Sequence, residues 1–284
     1  MKRIAIIAIA IAAALIAAAS QHPARAADVA ATLKTTELGK GPTIVLVHSL
    51  GGGRMQWIPT TKRLMSNHRV VMVDLPGHGG STMPDPFSFE ASAAALAQLL
   101  SQYKAESTIV VGQGIGGLIS LVAAGTHPER LKGLMLIDAA ARLEMQIPEQ
   151  QQKYFLEYLE SNYDAVMKPM FLAQARDSAE GVVLWATASQ VPAITMKSYF
   201  RTLLNFDGSK YARGFKPALM FVGTEKVWPT EKKWEELAKS MGYEEAAAIP
   251  NRRLTGAAAS VWAQQPDSLA ALISAFADQA YARK

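Results

Sequence analysis

The sequence predicts an α/β fold: a mostly parallel sheet flanked by helices, interrupted late in the chain by an all-helical insertion. Three observations predict it. Short apolar runs, many of them β-branched, recur at 43–47, 70–73, 108–111, 131–137 and 218–222, and each has the length of a buried strand. Helical patterns separate these runs, and that alternation makes a parallel sheet covered on both faces. Between about Arg142 and Tyr211 the strand signal stops, and the chain turns helical and rich in methionine and aromatic residues.

Composition narrows the options. The 284 residues suffice for one domain with an inserted subdomain. With no cysteine, disulfides and thiolate metal sites are excluded. The formal charge is +5, and Lys2, Arg3 and Arg25 supply three of those charges, so the chain without its first residues carries +2. No basic stripe interleaved with aromatics is present, so nucleic acid is not an expected partner. No cofactor is expected either.

Taken in order, the chain opens with Lys2 and Arg3, an uncharged run over 4–19, and Ala24-Arg25-Ala26. That pattern predicts a signal peptide over 1–26 with cleavage after Ala26. A retained anchor is the alternative, but the run is short against the ~20 residues a bilayer crossing needs. The mature protein is then expected in a bacterial periplasm or secreted, with no stable membrane insertion. Residues 30–40 read as an edge hairpin ending in glycines. The strand at 43–47 leads into His48-Ser49-Leu50-Gly51-Gly52-Gly53, and a helix is expected over 55–64. The strand at 70–73 ends in Asp74-Leu75-Pro76-Gly77-His78-Gly79-Gly80-Ser81, followed by an amphipathic helix over 89–103. The strand at 108–111 runs into glycines and then a helical pattern, which is a strand, a tight turn and a helix. The strand at 131–137 is closed by Asp138. After 218–222 come a helix over 231–241, a weak strand at 246–249 and a closing helix over 267–280. The domain boundaries expected are 27–141 for the first part of the core, 142–212 for a helical cap, and 213–284 for the rest of the core.

Several of these loops, in this order, resemble the cap-bearing branch of the α/β-hydrolase superfamily from about residue 30 to the C-terminus. His48-Ser49-Leu50-Gly51-Gly52 is similar to the H-G-x-G-G oxyanion loop. Asp74-Leu75-Pro76-Gly77-His78-Gly79 with Ser81 is similar to D-x-P-G-x-G-x-S. Gly112, Gly114 and Gly116 stand where the nucleophile elbow G-x-S-x-G has its glycines and its serine. Gly223 and Pro229 frame the loop that carries the acid, and Gly256 with Gln265-Pro266-Asp267 resembles the loop that carries the histidine.

The chemistry departs from that pattern. The resemblance places Gly114 at the nucleophile, Lys226 at the acid with Glu225 beside it, and Ala257 at the histidine. The five histidines are His22, His48, His68, His78 and His127, so none follows residue 127. Nucleophile, base and orienting acid are all missing from their places. What the resemblance still implies is a pair of backbone donors, from Leu50 and Ile115, at a helix N-terminus. The expected pocket residues are His48, Ser49, Leu50, Gln113, Gly114, Ile115, Asp138 and Trp228.

Other readings stand beside this one. Gly112-x-Gly114-x-x-Gly117 after a strand, with Asp138 closing the next, also matches a dinucleotide fingerprint. Asp138 can replace the missing acid, or be a solvated capping residue. Ser49 as nucleophile lacks a base, since His48 is its immediate neighbour. Arg252 and Arg253 read as a solvated turn. The cap methionines and aromatics read as packing or as a ligand box. The function expected is a non-catalytic binder of a small apolar or carbonyl-bearing ligand in a capped pocket. An esterase-like hydrolase, lyase or isomerase using non-standard residues is the alternative, and a scaffold for an envelope protein is a third.

Overall fold

A computed structural model describes residues 29–143, 147–243 and 248–283. The expected signal peptide lies outside the described residues. Among the described residues no helix is long and apolar enough to cross a membrane.

The sheet has seven strands: β1 (Thr35–Leu38), β2 (Thr43–Val47), β3 (Arg69–Val73), β4 (Thr108–Gln113), β5 (Gly133–Ile137), β6 (Ala218–Thr224) and β7 (Asn251–Leu254). Their spatial order is β1-β3-β2-β4-β5-β6-β7. All pairings are parallel except β1 with β3. The chain reverses its direction of winding between β2 and β4, where α/β sheets form a crevice beyond the strand ends. Register aligns those ends: Val47 faces Gly112, Gln113 faces Ile137, and Ile137 faces Val222. The residues that follow, His48 to Leu50, Gly114 and Asp138, therefore emerge along one edge.

The helices are α1 (Ile58–Leu64), α2 (Phe89–Leu100), α3 (Gly114–Thr126), α4 (Glu149–Ser161), α5 (Tyr163–Gln174), α6 (Ser178–Ala188), α7 (Ala193–Leu203), α8 (Ser209–Ala212), α9 (Trp234–Ser240), α10 (Val261–Gln264) and α11 (Pro266–Ala282). Alternate strand residues feed two apolar layers. Val45, Val71, Val110 and Leu134 pack with Leu96, Leu118 and Leu121 on one face. Ile44, Val70, Ile109 and Met135 pack with Leu64, Leu269, Ile273 and Phe276 on the other. Each such side chain contributes roughly 1.5–3 kcal/mol. Continuous burial on both faces is why these strands read as unbroken apolar runs.

Helices α4 to α8 occupy the span between β5 and β6. Leu159, Met167, Phe171, Met196 and Phe200 form a third apolar cluster there, against which Leu50 packs. Tyr199 ties this layer to the loop after β3, its hydroxyl donating to Pro76 O at 3.0 Å. Most of the methionines and aromatics in this span are therefore packing.

Three expectations are corrected. Residues 30–40 do not form a hairpin with β2. Both edges of β2 are taken by β3 and β4, so β1 covers the open edge of β3 instead. Residues 55–64 begin as a 3₁₀ turn at Arg54–Trp57, and the α-helix starts at Ile58, one residue before Pro59. The weak strand expected at 246–249 falls only in part on described residues, and among these 248 and 249 are not in a strand. Ala246 and Ala247 lie outside the described residues, and the strand is Asn251–Leu254. Arg252 and Arg253 are thus strand residues rather than a solvated turn. Arg253 stacks on Trp228 at 4.5 Å and donates to Thr230 O and Lys232 O.

Candidate functional site

The strand β4 ends at Gln113 and α3 begins at Gly114, with no residue between. So abrupt a turn drives Gly114 to a φ of +52°, a conformation that glycine adopts without steric cost. A side chain at 114 would meet the Ser49 hydroxyl inside van der Waals distance. Gly112 and Gly117 serve a different need. A Cβ on Gly112 would stand 2.6 Å from Gly117 Cα, so helix and strand pack backbone to backbone. The fingerprint spacing is accounted for by this packing.

Above the turn lies a cavity of about 610 Å³, whose walls include Ser49, Leu50, Gln113, Gly114, Asp138 and Thr224, with Phe171, Leu184 and Trp262 as its apolar side. A second cavity of about 240 Å³ shares Ser49, Leu50, Gly114, Asp138 and Phe171, and adds Ile115 and Met167. The backbone amides of Leu50 and Ile115 find no acceptor among the described residues. The Ile115 amide belongs to the first turn of α3, where the helix dipole favours a negative or carbonyl oxygen.

Neither nearby histidine reaches this cavity. His48 is fully buried, its Nδ1–H donating to Ser49 O at 2.7 Å and its Nε2 accepting from Leu75 N at 3.0 Å. His78 is fully buried as well, with Nδ1–H donating to Pro76 O at 3.1 Å and Nε2 accepting from Gly51 N at 3.2 Å. Burial lowers His48 to about 3, helped by the neighbouring His78 and opposed by the Asp74 carboxylate. Burial also lowers His78 to about 4. The rings pack 5.1 Å apart, neutral and committed at both nitrogens. The expectation that His48 touches a ligand is therefore corrected: its ring braces two loops from beneath.

Asp138 does face the cavity. It follows β5 with a φ of +49°, and no other non-glycine residue among the described ones has a positive φ. Backbone strain of this kind costs of order 1–3 kcal/mol and collects at functional sites. Thr224 holds the carboxylate, its N–H donating to Oδ1 and its hydroxyl to Oδ2, both at 2.8 Å. Burial raises the carboxyl to about 6, against the pull of those two bonds. A solvated cap is not what the residue is.

A family model described as alpha/beta hydrolase fold matches residues 42–225. The chain belongs to the α/β-hydrolase fold family. It is 34% identical over 115 residues to a pimeloyl-[acyl-carrier protein] methyl ester esterase of Pseudoalteromonas atlantica, a match covering 40% of this chain and 43% of that protein. The matches to relatives of that name from Neisseria meningitidis and Aeromonas hydrophila also span less than half of their length. Among solved structures, a bromoperoxidase of Bacillus anthracis superposes with a TM-score of 0.72 at 16% identity, over 87% of this chain and 95% of that one. An enol-lactonase of Burkholderia xenovorans LB400 superposes at 0.69 and 21% identity, over 86% and 95%. These likenesses carry the fold.

The other positions singled out in this α/β-hydrolase chain separate clearly. Lys226 lines the rim of the larger cavity. Ala257 does not; it is buried in the lower apolar layer with Val261 and Ile273. Glu225 braces that region by accepting from Gly256 N at 2.6 Å. Trp228 also lies away from the cavity, a correction to the expected pocket set. Its Nε1 donates to Lys232 O at 2.8 Å, and its ring is held between Trp234 and Arg253. Thr224 was missed by sequence reasoning. The signal available was its position, one residue past Gly223 at the end of the strand whose Val222 pairs with Ile137.

Proposed function

We propose that this protein is an exported, non-hydrolytic member of the family that holds a small, largely apolar, carbonyl-bearing ligand. Residues 142–212 act as its cap. The observation that carries this reading is Gly114: a bare turn roofed by the Ser49 hydroxyl, with both neighbouring histidines neutral and turned away. Acyl transfer needs an oxygen at that turn and an imidazole within reach of it. The free amides of Leu50 and Ile115 instead suit a carbonyl oxygen that stays bound.

The reading is tested on protein isolated from the periplasm. A fluorophosphonate probe is expected to leave it unlabelled, and native mass spectrometry is expected to find a small molecule that departs on denaturation. Labelling at Ser49 or any other serine overturns it.

The elbow gives a further expected result. Gly114→Ser forces a side chain into a positive φ and against Ser49, so it lowers stability by roughly 1–3 kcal/mol. It does not create turnover of nitrophenyl esters. Thermal denaturation and an ester assay check both halves, and the double variant with Ser49→Gly recovers only the steric part. A single variant that melts with the wild type, or cleaves the ester, contradicts the account.

Asp138 favours a second reading, proton transfer to and from a carbonyl ligand held at the two amides. Exchange of α-protons into heavy water by the protein, lost in Asp138→Asn, would support it.

A further inference from the structure

The stretch that follows Ala257, where the family carries its histidine, has taken up another task. Ala259 and Trp262 form part of the wall of the larger cavity, which Gln174 and Leu184 of the cap also line. Hydrogen bonds cross between these two walls. Glu180, in the first turn of α6, accepts from Ser260 N at 3.2 Å through Oε1 and from Gln264 Nε2 at 2.8 Å through Oε2. Gln174 O, at the end of α5, accepts from Ala259 N at 3.4 Å.

Both partners of the side-chain contact are held ready for it. Gln264 Oε1 accepts from Ala258 N at 2.7 Å, which turns the nitrogen of that amide towards the carboxylate. On the cap side, Glu180 Oε2 also accepts from Arg176 N at 2.7 Å, and Asp177 caps the helix by accepting from Glu180 N at 2.9 Å. Bonds to a carboxylate are roughly twice as strong as those between neutral groups, so Glu180 dominates the seam. The same loop reaches the cavity floor, where Gln113 Nε2 donates to Ala259 O at 2.7 Å. The other end of that amide, Gln113 Oε1, is sealed from solvent and has no hydrogen-bond partner.

We propose that residues 258–264 are a latch. Glu180 holds the cap against this loop, and its release from Ser260 N and Gln264 parts the two walls of the larger cavity and admits the ligand. The latch is poised rather than locked. A sealed, unpaired acceptor is costly, and lifting Ala259 from the Gln113 amide gives Oε1 access to water, so opening returns part of what it breaks. A histidine is not needed in this loop for such a role; an unencumbered backbone N–H at Ser260 is. The latch goes beyond the reading of the cavity as a non-hydrolytic site and operates on whatever the cavity takes, so either can fail while the other stands.

The test uses the lack of cysteine in the chain. Ser49→Cys places a single thiol in the floor of the cavity, and its rate of labelling by fluorescein-5-maleimide reports how often the walls part. Two further changes are made in that background. Glu180→Gln keeps the shape of the side chain and turns an N–H group against one of its donors. Gln264→Glu keeps the acceptor for Ala258 N and sets a like charge against Glu180. Each is expected to raise the labelling rate by about threefold or more, and to speed hydrogen exchange at 258–264 while the strand at 108–113 keeps its protection. The double variant is expected to label no faster than the faster single one, because both changes break the same tether. The two changes act from opposite sides of the seam, so failure of one to fold leaves the other to decide. A smaller rise, or exchange at 258–264 that matches the parent, overturns the latch. Effects that multiply in the double variant overturn it as well.

Discussion

Acidification from about pH 7 to about pH 4 is expected to cost this protein roughly 6 kcal/mol through His48 and His78 alone. Both rings are held neutral in the folded state, lowered to about 3 and about 4. In the unfolded chain they titrate near 6.5. Between those values the unfolded state binds more protons, so stability is complete above about 6.5 and falls as the pH drops. The geometry explains why the rings resist charging. A proton added at Nε2 would point at the Leu75 N–H on one ring and at the Gly51 N–H on the other. Urea denaturation across this range checks the slope. His78→Gln retains a donor and an acceptor and does not titrate, so it is expected to remove about half of the loss. A flat stability profile in the wild type would contradict the assignment.

Asp138→Asn is expected to stabilise the protein by roughly 3 kcal/mol near pH 7.5, with little effect near pH 4. Burial raises this carboxyl from 3.8 to about 6. A raised pKa means that the folded state binds the extra proton, so the stability this group contributes is present below about 3.8 and lost as the pH rises through about 6. Above that point the protein carries a buried anion. Asparagine removes the charge, keeps an acceptor for the Thr224 N–H, and tolerates the positive φ better than most residues do. The two predictions are linked. In the window from about 4 to about 6, Asp138 gains a proton in the folded state while each histidine gains one in the unfolded state. The net difference is then about one proton, and Asp138→Asn should raise it to about two. The variant would be more stable at neutral pH and steeper in acid. A Tm at pH 7.5 equal to that of the wild type argues against a buried anion.

The fold was legible because its signals are local. A strand buried on both faces must be apolar at every position, and Ile44, Val45 and Leu46 announce it without reference to anything distant. The turn at Gly114 was legible for the same reason, since three glycines between a strand and a helix leave little choice of backbone. Pairing partners were less so. Residues 30–40 carry weak alternation and one glycine, and nothing in them says that the neighbouring strand has both edges filled. The strand at Asn251–Leu254 was hidden by its polarity, because Arg253 belongs to the sheet only when Trp228 is there to stack against.

The sequence by itself determined the alternation of strands and helices, the glycine at the elbow, and the lack of any histidine beyond residue 127. Those are matters of residue identity and short-range pattern. Only the tertiary structure decided what surrounds each polar group: that His48 is sealed beneath the cavity rather than opening into it, that Trp228 turns towards Arg253, that Thr224 reaches Asp138 across 86 residues of chain, and that Gln113 is left with an unpaired oxygen. Burial and hydrogen bonding are set by neighbours distant in sequence. For a buried side chain those neighbours decide its charge and its freedom to bind.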